Sequence, residues 1–190
     1  MVAQASLSDG AGALVLSDYG KGIVTPEHCA RLIETAHQRG IPVVVDPKGS
    51  DWEKYRGADY ITPNLKELNA VQSSPAKNED ADVERAARYA MERFGIRAMV
   101  ATRSECGLSL VEGNMAVHIP TKAQEVFDVS GAGDTVIAAF ALALAGGLLP
   151  EQGAYLANLA ASVVVAKVGT YAVSKEELFA VLDGEAQHEP

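Results

Sequence analysis

Apolar positions in this chain fall into short bursts of β-branched and small residues, separated by longer stretches in which they recur at helical spacing. Residues 13–17 form the first burst, a predicted strand that runs into a polar turn. Thr25-Pro26 then supplies an N-cap and a proline at the first helical position, which predicts a helix to about Arg39 closed by Gly40. Residues 42–46, Pro-Val-Val-Val-Asp, show no polar alternation, as a central parallel strand covered on both faces requires. Strand, helix and strand in that order imply a right-handed crossover.

The rhythm continues with a strand at 59–62, a short helix at 64–71, and a longer helix capped by Asn78 that ends at Phe94 before Gly95. A strand at 97–102 precedes two β segments, 107–111 and 115–119, joined by the turn Glu112-Gly113-Asn114. The last third reads as three helices, 133–145, 150–167 and 174–182. Segment 73–80, polar with Pro75 inside it, and the tail 183–190 are expected to be the least ordered parts. The alternation predicts a three-layer α/β/α sandwich with a mainly parallel sheet, whose ligands bind beyond the carboxyl ends of the strands. At 190 residues and 48% hydrophobic content, the chain suits one domain with a sizeable core.

The chemistry concentrates in Asp128-Val129-Ser130-Gly131-Ala132-Gly133-Asp134-Thr135, which leads into an apolar run. Two glycines around an alanine at a helix start free backbone N–H groups to meet an anion, and the helix dipole adds positive potential. An aspartate in the first turn stands where it can take a proton from a hydroxyl attacking bound phosphate. The plain alternative is a turn or helix cap with an acid that interacts only with the dipole, worth about 0.3–1 kcal/mol.

Asn64-Leu65-Lys66-Glu67 follows a strand and places Asn64 and Glu67 one turn apart on one helix face, either toward a shared site or as a simple cap pair. Asp46-Pro47-Lys48 and Ser17-Asp18-Tyr19-Gly20-Lys21-Gly22 both leave strands at the same expected edge. Lys48 there either offsets phosphate charge or is merely solvated. Thr102 closes a strand five residues before Gly107, and Asn158 sits inside a helix where it either meets a ligand or bonds locally.

A net charge of −9 argues against a general nucleic-acid or anionic-membrane binder. Two distant cysteines, Cys29 and Cys106, support neither a disulfide framework nor a zinc site and suit a reducing cytoplasm. The N-terminus lacks the pattern of a signal peptide. The apolar run 136–149 is broken by Gly146-Gly147 and is too short to span a membrane. No P-loop is present, and Val136 stands where a dinucleotide fingerprint needs its third glycine. The histidines, His28, His37, His118 and His188, have no close ligand-pair spacing and read as surface or packing residues.

Together these motifs resemble the ribokinase-like (PfkB) family of ATP-dependent carbohydrate kinases, almost throughout the chain. The strings Ser17-Asp18-Tyr19-Gly20-Lys21-Gly22, Val45-Asp46-Pro47-Lys48-Gly49, Tyr55-Arg56-Gly57-Ala58 and Gln124-Glu125-Val126-Phe127-Asp128 are similar to its bacterial branch in ADP-heptose synthesis. That branch phosphorylates the anomeric hydroxyl of D-glycero-β-D-manno-heptose 7-phosphate on the route to lipopolysaccharide core. The resemblance implies Asp134 as base, with the amides of Gly131, Ala132 and Gly133 as an anion hole. It implies ATP near Asn64, Leu65, Lys66, Glu67, Thr102, Gly107 and Asn158, magnesium near Glu67 through water, and a monovalent cation near Asp128. Asp46 and Lys48 are further cleft candidates.

It also implies that residues 1–190 are the C-terminal, nucleotide-binding and catalytic part of one kinase domain, incomplete at its N-terminal side, with the activity of this part alone left open. The whole protein is expected to be a cytoplasmic homo-oligomer. No His-x-Gly-His element of a nucleotidyltransferase is present. Two other readings stay open: another sugar or nucleoside kinase of this fold, and a nucleotide-binding module without activity.

Overall fold

The computed structural model describes residues 10–123 and 125–186. Its elements, in chain order, are β1 (Leu14–Ser17), α1 (Pro26–Gln38), β2 (Val43–Asp46), β3 (Tyr60–Ile61), α2 (Leu65–Ala70), α3 (Asp80–Phe94), β4 (Ala98–Thr102), β5 (Leu108–Glu112), β6 (Met115–Ile119), α4 (Ala132–Ala145), α5 (Pro150–Val165) and α6 (Lys175–Ala186). The six strands form one sheet in sequential order. Strands β1 to β4 pair in parallel, and β5 and β6 add antiparallel.

Strand alternation divides the core between the two faces of the sheet. Val43, Val45, Ile61, Met99 and Ala101 pack with Ile33 of α1, Leu68 of α2 and Val83, Ala87 and Phe94 of α3. The intervening Val44, Tyr60, Ala98 and Val100 pack on the other face with Ile137 and Phe140 of α4 and Ala154 and Ala157 of α5. The uninterrupted valines of β2 are thus required by burial on both sides, and the three-layer sandwich follows. Aromatic pairs fill the two layers: Trp52 with Phe94, centroids 5.9 Å apart, and Tyr60 edge-on to Phe140 at 5.0 Å.

The segment 73–80, expected to be loose, is fastened by side chains. Asn69 donates to Ala76 O (3.0 Å) and accepts from Ala76 N (2.8 Å), and Asn78 donates to Arg103 O (3.0 Å). Asn78 is therefore not the cap of α3; Glu79 holds that position without a side-chain bond. The expected tail is helical as far as Ala186, and 187–190 lie outside the described residues. Gly95 ends α3 in the left-handed conformation as expected. Among the described residues no helix is long and apolar enough to cross a membrane.

Candidate active site

Because β1 to β4 run in parallel, the residues following them meet along one edge. Ser17 pairs with Asp46, Asp18 N donates to Asp46 O (3.1 Å), and Asn64 bridges to Thr102, whose amide donates to Pro63 O (2.9 Å). The N-terminus of α4 comes to the same edge, where the Tyr19 hydroxyl donates to Asp134 Oδ1 over 2.9 Å. Residues 115 positions apart are thereby in contact.

The turn after β1 is built around Asp18, which is 3% exposed. Its carboxylate accepts from Gly20 N (2.7 Å), Lys54 Nζ (2.5 Å) and the Tyr55 hydroxyl (2.6 Å). Burial works to raise its pKa, but these three donors outweigh it and hold the carboxyl below its usual range. The Tyr55 hydroxyl in turn accepts from Lys48 N (3.1 Å), and Lys48 Nζ donates to Glu67 Oε1 (3.1 Å). Glu67 Oε2 accepts from Asn64 N (3.1 Å), while Asn64 Oδ1 accepts from Glu67 N (2.9 Å). A continuous polar chain therefore links Asp134, through the turn that carries Tyr19, to the Asn64–Glu67 element.

Asp46 lies in the middle, half-buried at the end of β2. Desolvation, and then the charges of Glu67 and Asp134, push its pKa up to about 6, against the opposing pull of Lys48. The edge thus carries Asp18, Asp46, Glu67 and Asp134 against Lys48 and Lys54, an excess of negative charge. An all-oxygen set with surplus charge fits magnesium, which prefers oxygen donors and keeps several waters. Both Glu67 oxygens already have partners, which favours contact through water. Among the described residues no group of three acidic, histidine or cysteine side chains forms a closed metal cage.

At the α4 N-terminus Gly131 occupies the left-handed region (φ +81°) as N-cap, with no side-chain cap bond. The Ala132 amide is spent on Val129 O at 3.2 Å. The Gly131 and Gly133 amides have no acceptor among the described residues, and a Cβ at either position would meet nothing within 4 Å. Open space therefore lies in front of both. Asp128 Oδ1 accepts from Ser130 N (2.8 Å) and Oδ2 from Gly169 N (3.1 Å), which fastens the signature loop to the segment after α5. Gly169 lies three residues beyond Ala166, the C-cap of that helix.

Three expected nucleotide residues have internal partners. Gly107 (φ +81°) lies so close to the chain leaving β6 that a Cβ would stand 2.1 Å from Ile119 O. Asn158, buried, donates to Pro120 O at 2.8 Å. Both fix one short segment, 119–121. Leu65 is partly buried against the core on the α1–α3 face of the sheet, whereas Lys66 is exposed. Lys54 and the buried Arg103 were given no role by the sequence, and Tyr55 entered only through the string Tyr55-Arg56-Gly57-Ala58; the signal of all three is pairing with residues distant in the chain. An apolar concavity of about 440 Å³ between α5 and α6, lined by Leu148, Tyr155, Leu156 and Leu182 among others, shares no residue with this edge.

Comparison with known proteins identifies the family. The model of the pfkB family of carbohydrate kinases matches residues 4–177. The bifunctional protein HldE of Geobacter sulfurreducens is 53% identical over 166 residues, 87% of this chain and 34% of that protein. HldE of Salmonella paratyphi B is 49% identical over 176 residues, 92% of this chain and 36% of that protein. This chain thus spans about a third of the length of these curated relatives. Thermotoga maritima ribokinase superposes with a TM-score of 0.73 at 29% identity, covering 90% of this chain and 56% of that one. Arabidopsis thaliana ribokinase complexed with ribose and ATP shares the fold, with a TM-score of 0.78 at 23% identity, covering 90% and 55%. The ribokinase-like fold is common to these solved structures and this chain, and this chain belongs to the pfkB family of carbohydrate kinases.

Proposed function

We propose that this chain supplies the nucleotide and base side of a kinase that transfers the γ-phosphoryl group of ATP to the anomeric hydroxyl of D-glycero-β-D-manno-heptose 7-phosphate. The observation that carries the reading is the meeting of Asp134 and the Asn64–Glu67 element at one parallel-strand edge, joined through Tyr19, Asp18, Tyr55 and Lys48. The choice of sugar rests on the sequence resemblance and on relatives that are 49–53% identical to this chain over about a third of their own length.

In this reading the acceptor oxygen forms a bond to the γ-phosphorus while the bond to the ADP oxygen breaks. The hydroxyl proton passes to Asp134. The free amides of Gly131 and Gly133 face the transferring group and hold charge that develops on its oxygens, which costs no reorganisation because the helix start is already fixed. Magnesium, when bound near Glu67 and Asp46, would neutralise phosphate charge that the acidic edge by itself repels. Asp128 fixes the signature loop, and any monovalent cation would sit beside that loop. A module that only binds nucleotide has no need of a carboxylate in front of the free amides, which favours transfer over mere binding.

Phosphorus NMR of ATP, magnesium and the heptose 7-phosphate, with the full-length kinase that contains this chain as wild type and as Asp134→Asn, tests the reading. The expected result is a 1,7-bisphosphate formed by wild type, with a rate about 10² to 10⁴-fold lower in the variant. Equal rates, or transfer by neither, would overturn it.

A further inference from the structure

Five helices of the fold begin with an acid or amide at the third position that can reach back to the N-cap amide; three of them do so, and Asp82 of α3 accepts instead from Lys77 N (3.0 Å) before its helix. Glu67 of α2 accepts from Asn64 N (3.1 Å), Gln152 of α5 from Leu149 N (3.0 Å), and Glu177 of α6 from Ser174 N (3.0 Å). In α4 the equivalent residue is Asp134, and its N-cap amide is that of Gly131. Here the carboxylate is turned away from the helix. Its one hydrogen-bond partner among the described residues is the Tyr19 hydroxyl, and the Gly131 amide is left open.

We propose that Tyr19 is a positioning residue that holds Asp134 off the Gly131 amide, keeping the base and the anion site available at the same time. Without the phenol, a carboxylate at this place is drawn to the unpaired N–H groups of its own helix start, where the dipole also favours it. It would then block the amide that should meet the phosphoryl group, and its proton-accepting oxygen would be turned from the acceptor. The turn that carries Tyr19 is rigid enough for this task, because Asp18 anchors it to Lys54, Tyr55 and Gly20. Gly20, at φ +69°, supplies the left-handed backbone conformation that the turn needs. The phenol titrates above its ordinary value, chiefly through the hydrogen bond to Asp134 and that carboxylate's charge, with Ser17 opposing and Asp46 adding to the shift.

The proposal rests on the kinase reading for its catalytic meaning, but the contact is testable without turnover. Proton–nitrogen NMR spectra of the chain are recorded through the carboxylate titration range for wild type, Tyr19→Phe, and Tyr19→Phe combined with Asp134→Asn. Tyr19 is 62% exposed, so its removal leaves the core untouched. The Gly131 amide is expected to gain a pH-dependent downfield shift in Tyr19→Phe and to lose it in the double variant. Asp46 titrates nearby, and the double variant separates its influence from that of Asp134. A Gly131 amide that behaves alike in wild type and Tyr19→Phe overturns the proposal. In the phosphorus NMR assay Tyr19→Phe should lower kcat about three- to tenfold and weaken ATP, the scale of one lost hydrogen bond; unchanged kinetics overturn the positioning role. If the Gly131 shift is observed while wild type transfers nothing, Tyr19 does hold the carboxylate as proposed, and the kinase reading alone fails.

Discussion

Two polar clusters in this molecule have similar residue types and opposite electrostatics. Around the start of β5, Arg103 is 3% exposed and donates to Asn78 Oδ1 (2.9 Å), Asp80 Oδ1 (2.5 Å) and Ser109 Oγ (3.0 Å). His118 closes the group, its Nδ1 2.8 Å from Ser109 Oγ and its Nε2 3.0 Å from Glu84 Oε1. Hydrogen bonding from Arg103 holds Asp80 below the usual carboxylate range, and His118 and Arg88 do the same for Glu84. At the β1–β4 edge, by contrast, Asp46 is pushed up to about 6. The first cluster is matched in charge and fixes a turn. The second carries unbalanced negative charge in front of open amides, and such imbalance is what a site for a cation and a phosphate needs before its ligands arrive.

The contrast can be broken at either cluster. The largest effect is expected from Arg103→Ala, which removes the hub and leaves Asn78 and Ser109 short of partners. A loss of about 2–4 kcal/mol in urea unfolding is expected, and a loss below about 1 kcal/mol would show that the cluster is ornamental to the fold. Next comes Asp46→Asn, which should stabilise the protein. A carboxyl raised from 3.8 to about 6 keeps its proton in the native state where the unfolded chain has released it. Stability from this group is therefore fully present below pH 4 and falls as pH rises toward 6. The variant should gain about 1–3 kcal/mol at pH 7 and nothing below pH 4, read from unfolding curves across that range. A variant less stable than wild type at pH 7 would place Asp46 in the matched class. The smallest effect belongs to Lys48→Ala. Its side chain is 55% exposed, and its bond to Glu67 is expected to contribute less than about 1 kcal/mol to stability, while the same change should weaken ATP in a calorimetric titration.

The layers were readable because they follow from local rules. The triple valine of β2, Thr25-Pro26 before α1 and Gly95 after α3 each report one physical requirement: burial on both faces, a satisfied helix start, and a left-handed stop. The segment 73–80 was misread because polar residues near a proline resemble a loose loop, whereas its order comes from Asn69 and from Arg103, which lies 25 residues beyond Asn78. Gly107 and Asn158 were read toward a nucleotide. The structure gives them a shared partner in the chain leaving β6, a contact that no spacing in the sequence expresses.

By itself the sequence determined the strand and helix order, the glycines at the start of α4, and the placing of Asp134 one turn from them, since all of these are set by neighbours within a few residues. Only the tertiary structure decided which way Asp134 faces. The Tyr19 hydroxyl reaches it across the parallel sheet, and packing alone brings the ends of β1 and α4 together. It likewise decided that Asp46 is raised and Asp18 lowered, although both carboxylates end parallel strands. Asp18 is met by Lys54, Tyr55 and Gly20, whereas Asp46 is desolvated and faces Glu67 and Asp134, and a carboxylate's charge is set by what surrounds it in space.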